Sequence, residues 1–209
     1  MANRFESVAN AAVLLGSVFY QDPSSEKGQA VLGWFASPEA ADAWEFGQPQ
    51  AGQGIALMQS ALTENQAQAN HEEFNRLFVG PYRLPAPAWA SVYTDPEGVI
   101  FGNATLGVRQ WMRDNQVKMT LPNNEPEDHF GLMLMMLSWA VTHGVSEDAI
   151  RAFLQEHLLT WCFYYLQLFA DSTENPLYKG AAQVAQATLA DWVERFQLEV
   201  PQISLHPRQ

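Results

Sequence analysis

Three carboxylates and an imidazole fall within five residues at Glu125-Pro126-Glu127-Asp128-His129, and the run leads directly into Phe130-Gly131-Leu132-Met133-Leu134-Met135-Met136-Leu137. Carboxylates can receive guanidinium groups, and with an imidazole they can ligate metal or move protons. Asp128 and His129 are adjacent, so on a helix their side chains diverge by about 100° and cannot form a dyad. The spacing predicts the first turn of a very apolar helix. Proline costs little there, because the first amide protons have no intrahelical partner. Asn124 suits the N-cap, and Glu127 three residues later completes a capping box. Acidic groups also complement the positive end of the helix dipole. Two readings follow. The segment starts a core helix well, or Asp128 and His129 present polar groups at the edge of an apolar surface where a partner docks.

Other reactive patterns are incomplete. His71-Glu72-Glu73-Phe74 lacks the second histidine that a helical zinc site needs. Gly52-Gln53-Gly54 is neither a P-loop nor a dinucleotide fingerprint. Ser17 follows Gly16 inside a helical pattern, not on a nucleophile elbow. Cys162 is the only cysteine and has apolar neighbours, so it reads as a small buried hydrophobe in a reducing compartment. No catalytic residue, metal or cofactor is expected.

The elements that must position the acidic run are predicted to be helical throughout. Phe5, Val8, Ala12, Leu15 and Phe19 recur at three and four, with Asn3 and Glu6 as a capping box. Further helices are expected near 25–35, after Ser37-Pro38-Glu39 to about 46, around Ile55, Met58 and Leu62, and over Glu72 to Val79. Asn103 looks like the cap of a helix through Trp111 and Met112. Residues 126–142 are apolar nearly all round, as in a central buried helix. Ser146-Glu147-Asp148 starts a long helix carrying Ile150, Phe153, Leu154, Leu158, Trp161 and Tyr165. Asn175-Pro176 starts the last, which must stop before Pro201. The expectation is an all-α protein, residues 1–209 forming one domain of roughly nine or ten helices. Between helices lies Gly80 to Phe101, where Pro81, Pro85, Pro87 and Pro96 exclude a regular helix. So long a loop, carrying Tyr82, Trp89 and Tyr93, is expected to act as a lid on the core or as one wall of an aromatic groove.

Composition bounds the partner. The 23 acidic and 11 basic residues give a net charge of −12, which argues against nucleic acid and anionic membrane and favours a basic ligand. Charged residues are only 16% of the chain against about 25% ordinarily, so it buries a great deal or keeps apolar surface for a partner. No apolar run reaches the ~20 residues a bilayer span needs, and Met1 to Glu6 lack a signal-peptide pattern. A soluble, cytoplasmic monomer is expected.

The chain resembles the DmsD/TorD family of redox-enzyme maturation chaperones, in its DmsD branch. The resemblance rests on Leu77-Phe78-Val79-Gly80-Pro81, Leu84-Pro85, Phe101-Gly102, Arg109-Gln110-Trp111-Met112-Arg113 and Asn124 through Gly131. It continues more weakly through His157-Leu158, Trp161 and Asn175-Pro176. It implies a non-enzymatic protein that binds the twin-arginine leader of a molybdopterin-containing reductase precursor, dimethyl sulfoxide reductase being the implied client. The precursor is held until its cofactor is loaded, and the twin-arginine translocase stays open as a second partner. Positions matching the family's leader pocket are Tyr20, Leu77, Phe78, Trp89, Gly102, Pro126, Asp128 and His129. Phe74, Tyr82 and Tyr93 join them, standing where DmsD relatives carry tryptophan, and Ala88 stands where they carry proline. Glu125, Glu127 and Asp128 would face the arginines, with His129 orienting the site and lending it proton sensitivity. A nucleotide-binding switch or hydrolase, or a scaffold for another molybdoenzyme, remains an open alternative.

Overall fold

Eleven α-helices and no β-strand make up the described residues, 5–119 and 125–206, of the computed structural model. In chain order they are α1 (Val8–Val18), α2 (Glu26–Ala36), α3 (Ala40–Ala43), α4 (Gln50–Ala61), α5 (Ala67–Phe74), α6 (Ala90–Thr94), α7 (Asn103–Asp114), α8 (Phe130–Thr142), α9 (Glu147–Ala152), α10 (Cys162–Asp171) and α11 (Pro176–Arg195). The all-α expectation holds. The chain divides into two compact units: residues 1–16, 88–162 and 198–209 form the first, and 17–87 with 163–197 the second.

The first unit is built on α8. Phe130, Leu132, Met133, Leu134, Met136 and Leu137 are all buried, as a helix apolar on every side requires. Gly16 lies against α8 so closely that a Cβ there would sit 2.6 Å from the Gly131 carbonyl oxygen. Trp111 packs on Phe153 at 4.5 Å between ring centroids, and Tyr93 stacks on Trp161 at 5.8 Å. The C-terminal stretch straps this unit. Leu198 is buried, the Gln155 amide donates to the Glu199 carbonyl (2.6 Å), and the His206 N–H donates to the Tyr93 carbonyl (2.8 Å).

The second unit centres on α4 against α11. The two helices cross at Gly54 and Gly180, where a Cβ on Gly180 would lie 2.5 Å from the Gly54 carbonyl oxygen. Trp44 donates to Thr188 (3.0 Å), and Phe46 meets Trp192 edge-on. An aromatic cluster of Phe19, Phe74, Phe78, Phe169 and Tyr178 fills the rest.

Several boundaries differ from the sequence expectations. Residues 126–129 precede α8 instead of opening it, because their backbone pairs with the long loop. The Ala90 N–H donates to the Asp128 carbonyl (3.1 Å) and the Phe130 N–H to the Ala88 carbonyl (2.7 Å), forming an isolated antiparallel bridge between Trp89 and His129. The cap of α8 is therefore His129, whose Nδ1 accepts from the Gly131 N–H (3.1 Å). The caps expected at Asn3 and Asn124 lie outside the described residues. Gly102, not Asn103, is the N-cap of α7. The loop is not free of helix: the proline-free interval between Pro87 and Pro96 forms α6. The helix expected to reach about 46 ends at Ala43, although Trp44 and Phe46 stay buried. The helix expected to run unbroken from Ser146 widens into a π-turn at Phe153–Leu158, and α10 starts anew at Cys162. A second π-turn, Asn75–Val79, ends α5. Local signals were sufficient elsewhere. Ser146 caps α9, and Asn175 caps α11 by accepting from the Leu177 N–H (2.9 Å).

Candidate functional site

The expected site residues divide between the two units, and each set has its own geometry. In the first unit, Asp128 is fully buried. Its Oδ2 accepts from the Ser91 N–H (2.8 Å) and the Ser91 hydroxyl, and its Oδ1 from the Thr105 hydroxyl (2.8 Å). Asp128 thus caps α6 from outside and ties it to α7. The expectation that it meets a ligand's arginine is corrected here. A sealed carboxylate already accepting three hydrogen bonds has no edge to offer.

His129 is also buried, with its ring edge-on to Trp89 at 5.6 Å. Burial holds its pKa down to about 3. It therefore stays neutral near pH 7, with Nδ1 accepting from the backbone and the proton left to Nε2. Orientation by hydrogen bonding agrees with this geometry. Proton sensitivity does not, because the imidazole has nothing to titrate between pH 5 and 8.

The two glutamates differ from Asp128. Glu125 is half-buried and accepts from the Trp89 indole N–H (2.7 Å). Desolvation raises its pKa; the indole bond opposes this and the nearby Asp128 carboxylate reinforces it. No cation pairs with Glu125 among the described residues. Glu127 is paired: the Arg109 Nε donates to its Oε2 at 2.7 Å. Pro126, between them in the chain, is buried.

Around these acids the apolar surface is uneven. Trp89 is half-exposed, but Tyr93 is buried against Trp161 and is no groove wall. Gly102 is needed for close packing, since a Cβ there would stand 2.9 Å from Asp95 Oδ2 and 3.2 Å from Ser91 Cβ. Beside it, Val99, Ile100 and Phe101 are exposed, and Phe101 has a left-handed backbone at φ 63°. Such a conformation costs a non-glycine residue about 1 kcal/mol or more.

In the second unit, Phe74 and Leu77 are buried. Phe78 is half-exposed, with its ring 5.0 Å from Phe74 and 5.5 Å from Phe169. Tyr20 is half-exposed, and Tyr82 is 87% exposed. Leu77 and Phe78 sit in the π-turn, an element that recurs at functional sites.

Sequence reasoning missed Ser91 and Thr105 as the partners of Asp128, and it gave no role to Arg109 or the exposed Phe101. Arg109 lies in a run the family resemblance had singled out. Ser91 and Thr105 carry no local signal.

A Ser–His–Asp grouping at Asp22, Ser24 and His71 lacks the geometry of a hydrolase relay. Ser24 and Asp22 both approach the same nitrogen of His71, Nδ1, at 3.4 and 3.0 Å, and the Ser24 hydroxyl donates to Asp22 (2.7 Å). A relay needs nucleophile and acid on opposite ring nitrogens. Here Nε2 faces the Asn75 amide instead (3.0 Å). Gly54 serves helix packing and cradles no phosphate. Among the described residues no cluster of three or more metal-ligating side chains occurs, and no helix is long and apolar enough to cross a membrane.

Residues 47–167 match the nitrate reductase delta subunit family, and the chain belongs to that family. It is 34% identical to the Tat proofreading chaperone DmsD of Salmonella typhi over 196 residues, 94% of this chain and 93% of that one. It is 30% identical to the chaperone protein TorD of Ferrimonas balearica over 120 residues, 53% of this chain and 56% of that one. Its fold matches the crystal structure of a protein described as a redox enzyme maturation protein from Archaeoglobus fulgidus, with a TM-score of 0.50 and 16% identity, covering 88% of this chain and 94% of that one. These relatives are named as chaperones and maturation proteins, and the family is not one of enzymes.

Proposed function

We propose that this chain is a cytoplasmic proofreading chaperone for the twin-arginine leader of a molybdopterin-containing reductase precursor, with dimethyl sulfoxide reductase as the client. Leader binding would hold the precursor until its cofactor is loaded. The observation that carries the reading is Glu125, a half-buried carboxylate gripped by the Trp89 indole and lacking a cation among the described residues. A guanidinium suits it, because a charge-assisted pair relieves the desolvation that the lone carboxylate bears. The exposed part of Trp89, in the same unit, supplies apolar contact for the segment that follows the arginines. Kinship with a Tat proofreading chaperone over nearly the whole chain supports the same reading.

Calorimetry with a synthetic twin-arginine leader tests it. Glu125→Gln should weaken binding about tenfold, the worth of one charge-assisted hydrogen bond. Trp89→Ala should weaken it by about 2 kcal/mol or more, as loss of an aromatic anchor does. Unchanged affinity in both folded variants overturns the site. Capture of the precursor from extract, with identification of the captured polypeptide, decides the client.

A further inference from the structure

The first unit holds two carboxylates, two residues apart, in different states. Glu125 has an indole hydrogen bond and no described cation, whereas Glu127 already holds a guanidinium. That guanidinium belongs to Arg109 and is held by a single hydrogen bond. One nitrogen, Nε, reaches one oxygen, instead of the two-pronged pairing that arginine and carboxylate can form. The Arg109 side chain is about a third exposed, while that of Glu127 is mostly shielded. The guanidinium carbon also stands 5.5 Å from the centroid of the exposed Phe101 ring, a resting place that does not depend on Glu127.

We propose that Arg109 is an internal stand-in for the second arginine of a client: it neutralises Glu127 in the free protein and swings away when an incoming guanidinium takes that carboxylate. This rests on the leader-binding reading above. A peptide with two adjacent arginines then pairs its first with Glu125 and exchanges its second for Arg109 at Glu127. The exchange keeps the shielded Glu127 from ever standing bare, and it sets how much the second arginine is worth. In the native protein the second arginine gains only the difference between a two-pronged pair and the single-pronged one it displaces. Without Arg109 it forms a pair that was missing.

The test is a set of calorimetric titrations with two synthetic leaders, one carrying both arginines and one with the second replaced by glutamine. Arg109→Gln should bind the two-arginine leader about fivefold more tightly, the scale of one part-exposed ion pair no longer broken. With the one-arginine leader the gain should fall to the level of Arg113→Gln. Arg113→Gln, which removes the same charge from an exposed site on the same helix, should give less than half of that gain and give it equally with both leaders. Arg109→Lys, which keeps the competitor, should stay close to the native affinity. Glu127→Gln should lower affinity for the two-arginine leader alone, and it answers the question even where Arg109→Gln folds poorly. A gain in Arg109→Gln no larger than in Arg113→Gln, a gain undiminished with the one-arginine leader, or a Glu127→Gln effect equal for both leaders overturns the exchange. Failure of the native protein to bind the two-arginine leader at all overturns the leader-binding reading itself.

Discussion

Asp128 and Glu125 are both acids in one short segment, yet they do opposite work. Asp128 joins α6 to α7 through three hydrogen bonds and is out of reach of any ligand. Asp128→Asn should therefore act on stability. Its amide cannot accept from all three donors, and leaving buried donors unmet costs about 3 kcal/mol. Thermal melts should show a fall of roughly 6–12 °C. Glu125 carries the reverse burden. Its folded pKa is raised, chiefly by desolvation, so its ionised form opposes folding. The contribution of such a group is most favourable below its unfolded pKa and is lost as pH rises through the folded value. Glu125→Gln should thus raise the melting temperature at pH 7, with the gain shrinking at pH 4, and should weaken leader binding at pH 7 but little at pH 4. Leader affinity of the native protein should begin to fall, as pH is lowered, above the ordinary glutamate range of about 4.3. It should show no inflection of the histidine kind between pH 6 and 7, because burial keeps His129 neutral there.

At the scale of elements, the helices whose signals are local were legible and the joints between distant segments were not. Asn175, Pro176 and the later Pro201 delimit α11 from residues on or beside it, and the apolar face of α1 is buried as its spacing required. The start of α8 was misplaced because two backbone hydrogen bonds reach it from Ala88 and Ala90, far back in the chain. Asp128 likewise meets Ser91 and Thr105 from 37 and 23 residues away, and no period of three or four encodes that. The π-turns at Asn75–Val79 and Phe153–Leu158 each leave the apolar spacing almost unchanged, so the pattern reads as continuous helix. Family resemblance nominated the candidate site residues, but which acid is sealed, which is paired and which stands open came only from the fold. The α4–α11 crossing gives a sharp contrast between glycines. Gly180→Ala should destabilise by about 2 kcal/mol, a loss of roughly 4–8 °C, because its Cβ would press on the Gly54 carbonyl. Gly33→Ala, on the exposed face of α2 with nothing within 4 Å, should instead raise the melting temperature by a few degrees through helix propensity.

For the molecule as a whole, the charge of −12 sets a field that favours cationic ligands before any contact is made. Association of a twin-arginine leader should slow with salt, losing about tenfold in affinity between 30 and 300 mM salt, while an uncharged apolar peptide shows little change. Rates from stopped-flow mixing would place most of that loss in the on-rate.

The antiparallel bridge between Trp89 and His129 has a mechanical corollary. Two amide-to-carbonyl bonds clamp 88–90 against 128–130, so the indole, its acidic neighbour and the first residue of the central apolar helix must shift together. A peptide tugging on that indole would be felt at once at the root of α8, and deuterium uptake at the Ala90 and Phe130 amides should register its arrival.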